Sequence, residues 1–269
     1  NILIMKKHII IGNPIKHSLS PKIHNYWFEK NNIRAIYEKI SPDEHEVEEI
    51  IKMIKSEKLF AMNVTVPYKQ AVIPFIEDLS FIAKKTNSVN TICKKNGKIY
   101  GDNTDSIGFE LALKDLKTSF FNKSAFIIGA GGVVPSIIFA LQNLGVDKIY
   151  VTNRTKAKTD HIKKKFPSIE IINWGNFKNC DIYINATSLG LDVDDQIDID
   201  FNKVKPKKLF YDVIYNQPET NFLKKAKSFG HNILNGETMF IYQAQKAFEI
   251  WHNLTPKIDI KLIEILKND

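Results

Sequence analysis

The second half of this chain alternates short apolar strands with helical stretches, and that alternation limits the possible folds more than any other feature. An apolar run at 125–128 is followed by a glycine turn at 129–132 and a helical stretch that ends at Leu144. A strand at 147–152, a helix at 156–166 and strands near 170–172, 181–184 and 209–213 follow. Strands that alternate with helices pack as a parallel sheet covered by helices on both faces. The sequence therefore predicts an α/β fold that contains a doubly wound, Rossmann-type parallel sheet.

The first hundred residues are also α/β but less regular. Ser20 followed by Pro21 predicts a helix, with Ser20 as its N-cap and the proline in its first turn. Further on, Asn96-Gly97 lies between two β-rich arms, which is a strong signal for a two-residue hairpin. A chain of 269 residues is long enough for two modest cores, so we expect two domains.

Composition excludes several classes of protein. No apolar run reaches the roughly 20 residues needed to span a bilayer, so we predict no membrane partner. Cys93 and Cys180 are far apart and lack metal-type spacing, which predicts a reducing, cytoplasmic location, no disulfide and no metal site. The net charge of +8 comes from lysines dispersed along the chain. That dispersal indicates a solvated surface that attracts small anions, and it argues against a nucleic-acid partner.

The glycine turn at 129–132 lies between an apolar strand and a helix, which is the context of a dinucleotide-binding loop. Glycines there let the backbone approach a pyrophosphate, which also interacts with the helix N-terminus. Val134 replaces the third glycine of the usual pattern, and Pro135 fits a first helical turn. A glycine turn can also be a plain connection between a strand and a helix, so the next strand is needed to separate the two interpretations.

The strand after the glycine turn ends at Asn153-Arg154-Thr155. An NAD-binding chain usually has Asp or Glu at this place for the ribose hydroxyls, whereas this chain has Arg154 and, one helical turn later, Lys158. Arginine occurs at only two positions, 34 and 154. Because a guanidinium pairs a phosphate bidentately, we predict NADP(H) over NAD as the cofactor. The alternative is a surface arginine without a ligand.

Lys69 and Asp105 are the candidate catalytic groups. Lys69 follows Pro67 at the end of a strand, and Asp105 follows Asn103-Thr104 at the start of a helix. A Lys–Asp pair can move a proton to or from a carbinol oxygen while hydride is transferred at the carbon. Either residue alone is more often a solvated charge.

Three hydroxyl side chains could bind the substrate of such a reaction. Ser18, Ser20 and Thr65 offer neutral hydrogen bonds of the kind that a carboxylate and ring hydroxyls require. The plainer interpretation makes Ser20 a helix cap and Ser18 a turn residue, and we interpret His17 as a residue that orders its loop. Together with the glycine turn, these side chains predict an enzyme that binds a polyhydroxylated acid beside a dinucleotide.

With these residues laid out, the chain resembles the NADP-dependent shikimate dehydrogenase family along almost its whole length. The order and spacing of the shared motifs are too specific for coincidence. The motifs are Gly12-x-Pro14-x-x-His17-Ser18-x-Ser20-Pro21-x-x-His24-Asn25, Asn63-Val64-Thr65-x-Pro67-x-Lys69, Val89-Asn90-Thr91, Asn103-Thr104-Asp105-x-x-Gly108, Gly129-Ala130-Gly131-Gly132, Asn153-Arg154-Thr155, Asn185-Ala186-Thr187-Ser188-x-Gly190, Asp212-x-x-Tyr215 and Gln243-Ala244-x-x-Ala247-Phe248-Glu249-x-Trp251.

The resemblance implies a reaction and a set of site residues. The reaction is the reversible reduction of 3-dehydroshikimate to shikimate with NADPH, and Lys69 and Asp105 are its implied catalytic pair. The residues implied to bind the substrate are Ser18, Ser20, Thr65, Asn90, Tyr215 and Gln243. Those implied to bind the cofactor are Gly129, Ala130, Gly131, Gly132, Val133, Asn153, Arg154, Thr155, Lys158, Val213 and Gly236.

The resemblance also implies how the chain is divided. Residues 1–105 plus 237–269 would form a discontinuous substrate-binding domain, and residues 106–236 would form the NADP-binding domain. The C-terminal helices of the family return to the N-terminal half, which would bring Gln243 to the substrate, with hinges near Asp105 and Gly236. The family contains monomers and homodimers, and no feature of the sequence decides between them.

Three other functions stay open at this point. The nearest is a quinate/shikimate dehydrogenase with relaxed cofactor use, although Thr155 and Lys156 stand where an acidic residue would mark it. A folate-type methylene dehydrogenase has a related two-domain plan but not the serine and Asn-Thr-Asp patterns. A non-catalytic NADP-binding sensor is disfavoured by the intact pair of Lys69 and Asp105.

Overall fold

A computed structural model describes residues 5–190, 197 and 199–267. The elements of its first part are β1 (Lys6–Ile11), α1 (Ser20–Lys30), β2 (Ala35–Ile40), α2 (Val47–Lys55), β3 (Ala61–Val64), β4 (Asp78–Leu79), α3 (Phe81–Thr86), β5 (Thr91–Lys95), β6 (Lys98–Asp102) and α4 (Asp105–Lys114). The elements that follow are β7 (Ser124–Ile128), α5 (Val134–Asn143), β8 (Lys148–Thr152), α6 (Lys156–Lys165), β9 (Glu170–Ile172), β10 (Ile182–Asn185), β11 (Leu209–Asp212), α7 (Asn221–Ser228), β12 (Asn232–Leu234), α8 (Glu237–His252) and α9 (Ile260–Lys267).

The chain divides into two compact units after Gly108 and after Phe240. Unit 1 contains the residues up to Gly108 and those from Ile241 onward, and unit 2 is Phe109–Phe240. The divisions predicted from the sequence are at 105 and 236.

Unit 2 contains a six-stranded sheet in the order β12-β11-β10-β7-β8-β9, and each neighbouring pair of these strands is parallel. Alternate residues of β7 face opposite sides of the sheet. Ala125 and Ile127 pack with apolar residues of α4, α5 and α6, whereas Phe126 and Ile128 pack with a cluster that includes α7. Helices therefore cover both faces, and the predicted doubly wound parallel sheet is confirmed.

Unit 1 contains a mixed six-stranded sheet in the order β2-β1-β3-β5-β6-β4. Strand β1 is parallel to β2 and β3, and β5 is antiparallel to β3 and β6. The predicted hairpin joins β5 to β6, with Asn96 at φ 51° and Gly97 at φ 74°, as a two-residue turn of this kind requires. One face of the sheet packs against α2 through Val47, Ile51 and Ile54.

The predicted N-cap at Ser20 is wrong, although the predicted helix is present. Helix α1 begins at Ser20 itself, and the cap position belongs to Leu19, whose carbonyl accepts the amide of Ile23 at 3.2 Å. The backbone is therefore helical one residue earlier than Ser20-Pro21 suggests. The polar partner comes from the preceding loop, since Ser18 Oγ accepts the amide of Ser20 at 3.3 Å.

The other face of the unit 1 sheet carries a buried aromatic cluster. Residues of a strand alternate between its faces, and His8 of β1 therefore points away from the α2 side. The rings of Phe28, Phe60, Trp251 and His252 surround His8 with centroids 4.7 to 5.4 Å away. Neither ring nitrogen of His8 has a hydrogen-bond partner among the described residues. Burial lowers the pKa of His8 from 6.5 to about 3.

We expect the free energy of unfolding to fall as the pH is lowered from 7.5 to 5. In the unfolded chain a histidine binds a proton below about pH 6.5, whereas folded His8 stays neutral until about pH 3. The unfolded state binds more protons across this window, so acid favours unfolding. His8 alone should cost about 2 kcal/mol at pH 5, which urea unfolding at the two pH values measures.

The His8→Phe variant should show a weaker dependence of unfolding free energy on pH, because one of the three clustered histidines whose pKa is lowered by burial, His8, His24 and His252, has been removed. The exposed His45 provides the matched control, and His45→Ala should leave the dependence as in the wild type. Equal slopes in the wild type and His8→Phe would contradict the explanation.

Both cysteines are free and buried. Burial raises the pKa of each thiol, Cys93 and Cys180, to about 11. Within residues 5–190, 197 and 199–267, no helix combines the length and hydrophobicity needed to cross a bilayer. The same residues contain no group of three or more His, Cys, Asp or Glu side chains suited to a metal ion.

Candidate active site

Lys69 and Asp105 form an ion pair in unit 1. The Nζ atom lies 2.6 Å from Asp105 Oδ2, and the two side chains are only 11% and 9% exposed. Lys69 comes from the turn after β3, and Asp105 is the first residue of α4, where the helix dipole favours a carboxylate. Asp105 is the only acceptor of Lys69 Nζ among the described residues, so the ammonium keeps two N–H groups for a ligand.

The Lys69–Asp105 pair is more buried than the other ion pairs among the described residues. Lys52 and Glu49, for example, are 56% and 73% exposed. The alternative that Lys69 and Asp105 are separate solvated charges is therefore excluded. Because desolvation offsets much of the attraction within a buried pair, stability is a weak reason for placing it there.

Asn90 fixes the second oxygen of Asp105. Its Nδ2 donates to Asp105 Oδ1 at 3.0 Å, and its Oδ1 accepts the amide of Thr104 at 2.8 Å. The amide of Asp105 in turn donates to Asn103 Oδ1 at 3.0 Å. Gln243 of α8 is also present, with Oε1 3.5 Å from Asn90 Nδ2. The structure therefore brings Asn90 and Gln243 together with the ion pair.

The loop after β1 lies against the segment that leads to Lys69. The amide of Asn13 donates to the carbonyl of Val66 at 2.9 Å. A Cβ atom added to Gly12 would overlap the Thr65 side chain, so the close approach of the two segments requires glycine. Thr65 is thereby placed beside the first loop, on the same short turn as Lys69.

Ser18 and Ser20 lie at the start of α1, and Ser20 is 4% exposed. Their shared hydrogen bond is local, and among the described residues neither hydroxyl is bonded to Lys69 or Asp105. Of the six residues predicted to bind the substrate, Tyr215 alone belongs to unit 2. Its ring stacks on Phe240 with centroids 4.4 Å apart.

The glycine turn of unit 2 is packed on one side and open on the other. Gly129 has φ +117°, and an added Cβ would lie 2.8 Å from the carbonyl oxygen of Ala186. At Gly131, by contrast, nothing lies within 4 Å of an added Cβ. Gly129, Ala130, Gly131, Gly132 and Val133 lead directly into α5. An open backbone loop at a helix N-terminus fits the pyrophosphate of a dinucleotide.

The segment Asn153–Lys158 lies at the same end of the sheet as the glycine turn, where β7 and β8 both finish. Strands β7 and β8 are neighbours, and their last residues Ile128 and Thr152 pair. Asn153 Nδ2 donates to the carbonyl of Thr155 at 3.0 Å. Arg154, Thr155 and Lys158 are exposed. Two cationic side chains beside an open glycine loop fit the 2′-phosphate of NADP better than the free ribose hydroxyls of NAD.

Val213 and Gly236 meet at the end of β11. A Cβ added to Gly236 would overlap the carbonyl oxygen of Val213, and the Gly236 amide donates to the carbonyl of Ile214 at 3.0 Å. Asp212, which is fully buried, anchors this loop by accepting the Ile214 amide at 3.0 Å. It also accepts from Asn185 of β10 at 3.1 Å. Burial raises the pKa of Asp212 above its ordinary value.

Comparison with known proteins gives a family match within each of the two units. A family model described as "Shikimate dehydrogenase substrate binding domain" matches residues 10–92, and one described as "Shikimate / quinate 5-dehydrogenase" matches residues 110–210. The chain belongs to the shikimate dehydrogenase family. The two matches fall in unit 1 and unit 2 respectively.

Individual members of the shikimate dehydrogenase family match over nearly the full length. The shikimate dehydrogenase (NADP(+)) of Pelagibacter ubique is 53% identical over 261 residues, covering 97% of this chain and 98% of the relative. The crystal structure of shikimate dehydrogenase from Aquifex aeolicus has 33% identity and a TM-score of 0.88, with 98% of each chain covered. The Thermus thermophilus enzyme in complex with NADP(H) and shikimate has 27% identity and a TM-score of 0.87, again covering 98% of each chain.

Sequence reasoning gave no role to three residues that organise the proposed sites of the two units, Asn63 and Thr104 in unit 1 and Asp212 in unit 2. Asn63 and Thr104 bond to Asn90, and Asp212 ties the loops after β10 and β11. All three lie inside motifs that carry the resemblance. A polar residue in the last two positions of an otherwise apolar strand is the one signal that could have singled out Asn63 and Asp212.

Proposed function

We propose that this chain interconverts shikimate and 3-dehydroshikimate with NADP(H), using Lys69 and Asp105 for proton transfer. The observation that carries the proposal is the buried ion pair, with Nζ 2.6 Å from Oδ2. Its burial is weakly explained by stability and well explained by acid–base chemistry at a substrate hydroxyl. The printed names of the relatives, which include NADP(+), NADP(H) and shikimate, support the choice of substrate and cofactor.

The proposed chemistry at unit 1 is a proton transfer to the substrate oxygen. In the reduction direction, Lys69 donates a proton from Nζ to the carbonyl oxygen that becomes the hydroxyl. In the oxidation direction, the neutral amine of Lys69 takes the hydroxyl proton. Asp105 holds Nζ in place, and Asn90 holds Asp105. NADPH, when bound, supplies the hydride.

We propose roles for the remaining residues from the resemblance to the family. Unit 1 is the proposed substrate-binding unit, and unit 2 is the proposed cofactor-binding unit. The substrate carboxylate and hydroxyls are bound by Ser18, Ser20, Thr65, Asn90, Tyr215 and Gln243. The cofactor is bound by Gly129, Ala130, Gly131, Gly132, Val133, Asn153, Arg154, Thr155, Lys158, Val213 and Gly236.

Oxidation of shikimate with NADP, followed at the nicotinamide absorbance, tests the proposal. We expect turnover with shikimate and NADP, and much weaker turnover with quinate or with NAD. Efficient turnover of quinate, or with NAD, would instead indicate a quinate/shikimate dehydrogenase. A folded protein that binds NADP without turning over shikimate would contradict the enzymatic assignment and favour a sensor.

We also propose a cytoplasmic location, supported by the two free cysteines, since oxidising compartments favour disulfides. The alternatives of monomer and homodimer are distinguished by sedimentation velocity of the purified protein.

A further inference from the structure

The hydrogen bonds around Asn90 continue away from the ion pair into the sheet of unit 1. Asn63 of β3 donates from Nδ2 to the carbonyl of Asn90 at 3.0 Å. Its Oδ1 accepts the hydroxyl of Tyr37 at 2.6 Å. Tyr37 lies on β2, on the far side of β1, so its side chain crosses that strand to reach Asn63. A continuous series of contacts therefore runs from Tyr37 through Asn63 and Asn90 to Asp105.

Tyr37 is itself held from several directions. The Asn25 side chain clamps its backbone, donating to the Tyr37 carbonyl at 3.0 Å and accepting the Tyr37 amide at 2.9 Å. The ring stacks on His24 with centroids 4.6 Å apart and an interplanar angle of 5°. Tyr37 is only 2% exposed. The position of its hydroxyl is thus fixed by contacts other than Asn63.

The hydroxyl of Tyr37 decides how the Asn63 carboxamide is oriented. Asn63 is 5% exposed, so its Oδ1 would lack a partner if the hydroxyl were removed, which is costly for a buried acceptor. A carboxamide that rotates to find another partner withdraws Nδ2 from the Asn90 carbonyl. Among the described residues, the Asn90 carbonyl would then keep only the Val64 amide as a donor, at 2.8 Å. The backbone of Asn90 would be held less firmly, and the side chain of Asn90 is the one that holds Asp105.

We propose that Tyr37 is a positioning residue for the Lys69–Asp105 pair, acting through Asn63 and Asn90. The inference rests on the proposed function of that pair. Tyr37 acts through the hydrogen bond of its hydroxyl to Asn63. Its hydroxyl keeps the Asn63 carboxamide, the Asn90 backbone and the Asp105 carboxylate in one arrangement.

The test is the Tyr37→Phe variant, which keeps the stacked ring and removes the hydroxyl. We expect kcat for shikimate oxidation to fall roughly ten- to a hundredfold, as misplaced catalytic groups do, while the KM for NADP stays within twofold of wild type. The matched control is Tyr183→Phe in unit 2. Tyr183 is fully buried, stacks on Phe210 at 4.7 Å and donates to the carbonyl of Lys178 at 3.1 Å.

A double-mutant cycle separates positioning from general loss of packing. In an Asn63→Ala background, Tyr37→Phe should change kcat by less than twofold, because the path to Asn90 is already broken. Wild-type kcat in Tyr37→Phe, an equal loss of kcat in Tyr183→Phe, or full additivity in the cycle would each overturn the inference. If wild-type protein does not oxidise shikimate, the proposed function fails and the inference fails with it.

Should Asn63→Ala not fold, Asn63→Ser replaces it in the cycle. Thermal unfolding of every variant accompanies the kinetics. A lowered Tm with unchanged kcat in Tyr37→Phe would identify a structural role and would equally overturn the inference.

Discussion

Replacing Lys69 with alanine is expected to lower kcat for shikimate oxidation by about 10²- to 10⁴-fold, the usual range for loss of a general acid or base. Shikimate affinity should change far less, because the other proposed ligands of the substrate remain. The Asp105 carboxylate, 9% exposed, loses its charged partner in this variant, so its Tm should also fall. Steady-state kinetics and shikimate titration of the folded fraction measure the two effects separately.

Lys94→Ala is the matched control for Lys69→Ala. Lys94 also pairs with a carboxylate, Glu57, at 2.8 Å, but Glu57 is 76% exposed. Kinetics close to wild type are expected for this variant. A Lys69→Ala protein with near-wild-type kcat would remove Lys69 from the chemistry, and an equal loss in both variants would show that the effect is not specific.

Replacing Arg154 with alanine is expected to lower kcat/KM for NADP by about 10- to 100-fold, because the proposed charge-assisted bidentate contact with the 2′-phosphate would be lost. The kcat/KM for NAD, which lacks the 2′-phosphate, should stay within about twofold. Arg154 is exposed, so folding should be unaffected. Parallel kinetics with the two cofactors give the ratio directly.

Arg34 is the only other arginine of the chain and is exposed in unit 1, which makes Arg34→Ala the natural control. Its cofactor ratio should match that of the wild type. An unchanged ratio in Arg154→Ala would mean that the 2′-phosphate is recognised elsewhere, with Lys158 as the next candidate. Equal losses with NADP and NAD would indicate damage to the loop in place of lost phosphate recognition.

The parts of the fold that depend on local sequence were predictable. The strands and helices of unit 2 follow from apolar runs and the glycine turn, and the β5–β6 hairpin follows from Asn96-Gly97. The cap of α1 was not, since it depends on the path of the Ser18–Leu19 backbone, which the Ser20-Pro21 pair does not encode. Residue preferences for helix caps predict the conformation of one residue, but they do not predict the backbone path of the loop before it.

The centre shows the same division between local and long-range information. Lys69 and Asp105 were singled out by residue type and motif, but their 2.6 Å contact joins residues 36 positions apart. Tyr37 carried no signal at all, because a tyrosine in a strand is ordinarily a core residue. The contact of Tyr37 with Asn63 depends on the strand order β2-β1-β3, which is a property of the assembled sheet.

The discontinuity of unit 1 has a consequence for how the protein is made. Hydrogen bonds join Trp251 to Thr91, Trp27 to Lys257 and Tyr26 to Asp259, across 160, 230 and 233 residues. On the ribosome the whole of unit 2 leaves the exit tunnel before residues 241–267 do, since synthesis runs from the N-terminus. The aromatic face of the unit 1 sheet therefore stays uncovered until α8 and α9 leave the exit tunnel. Strand β1 is thus translated before unit 2, yet unit 1, to which it belongs, is completed after unit 2.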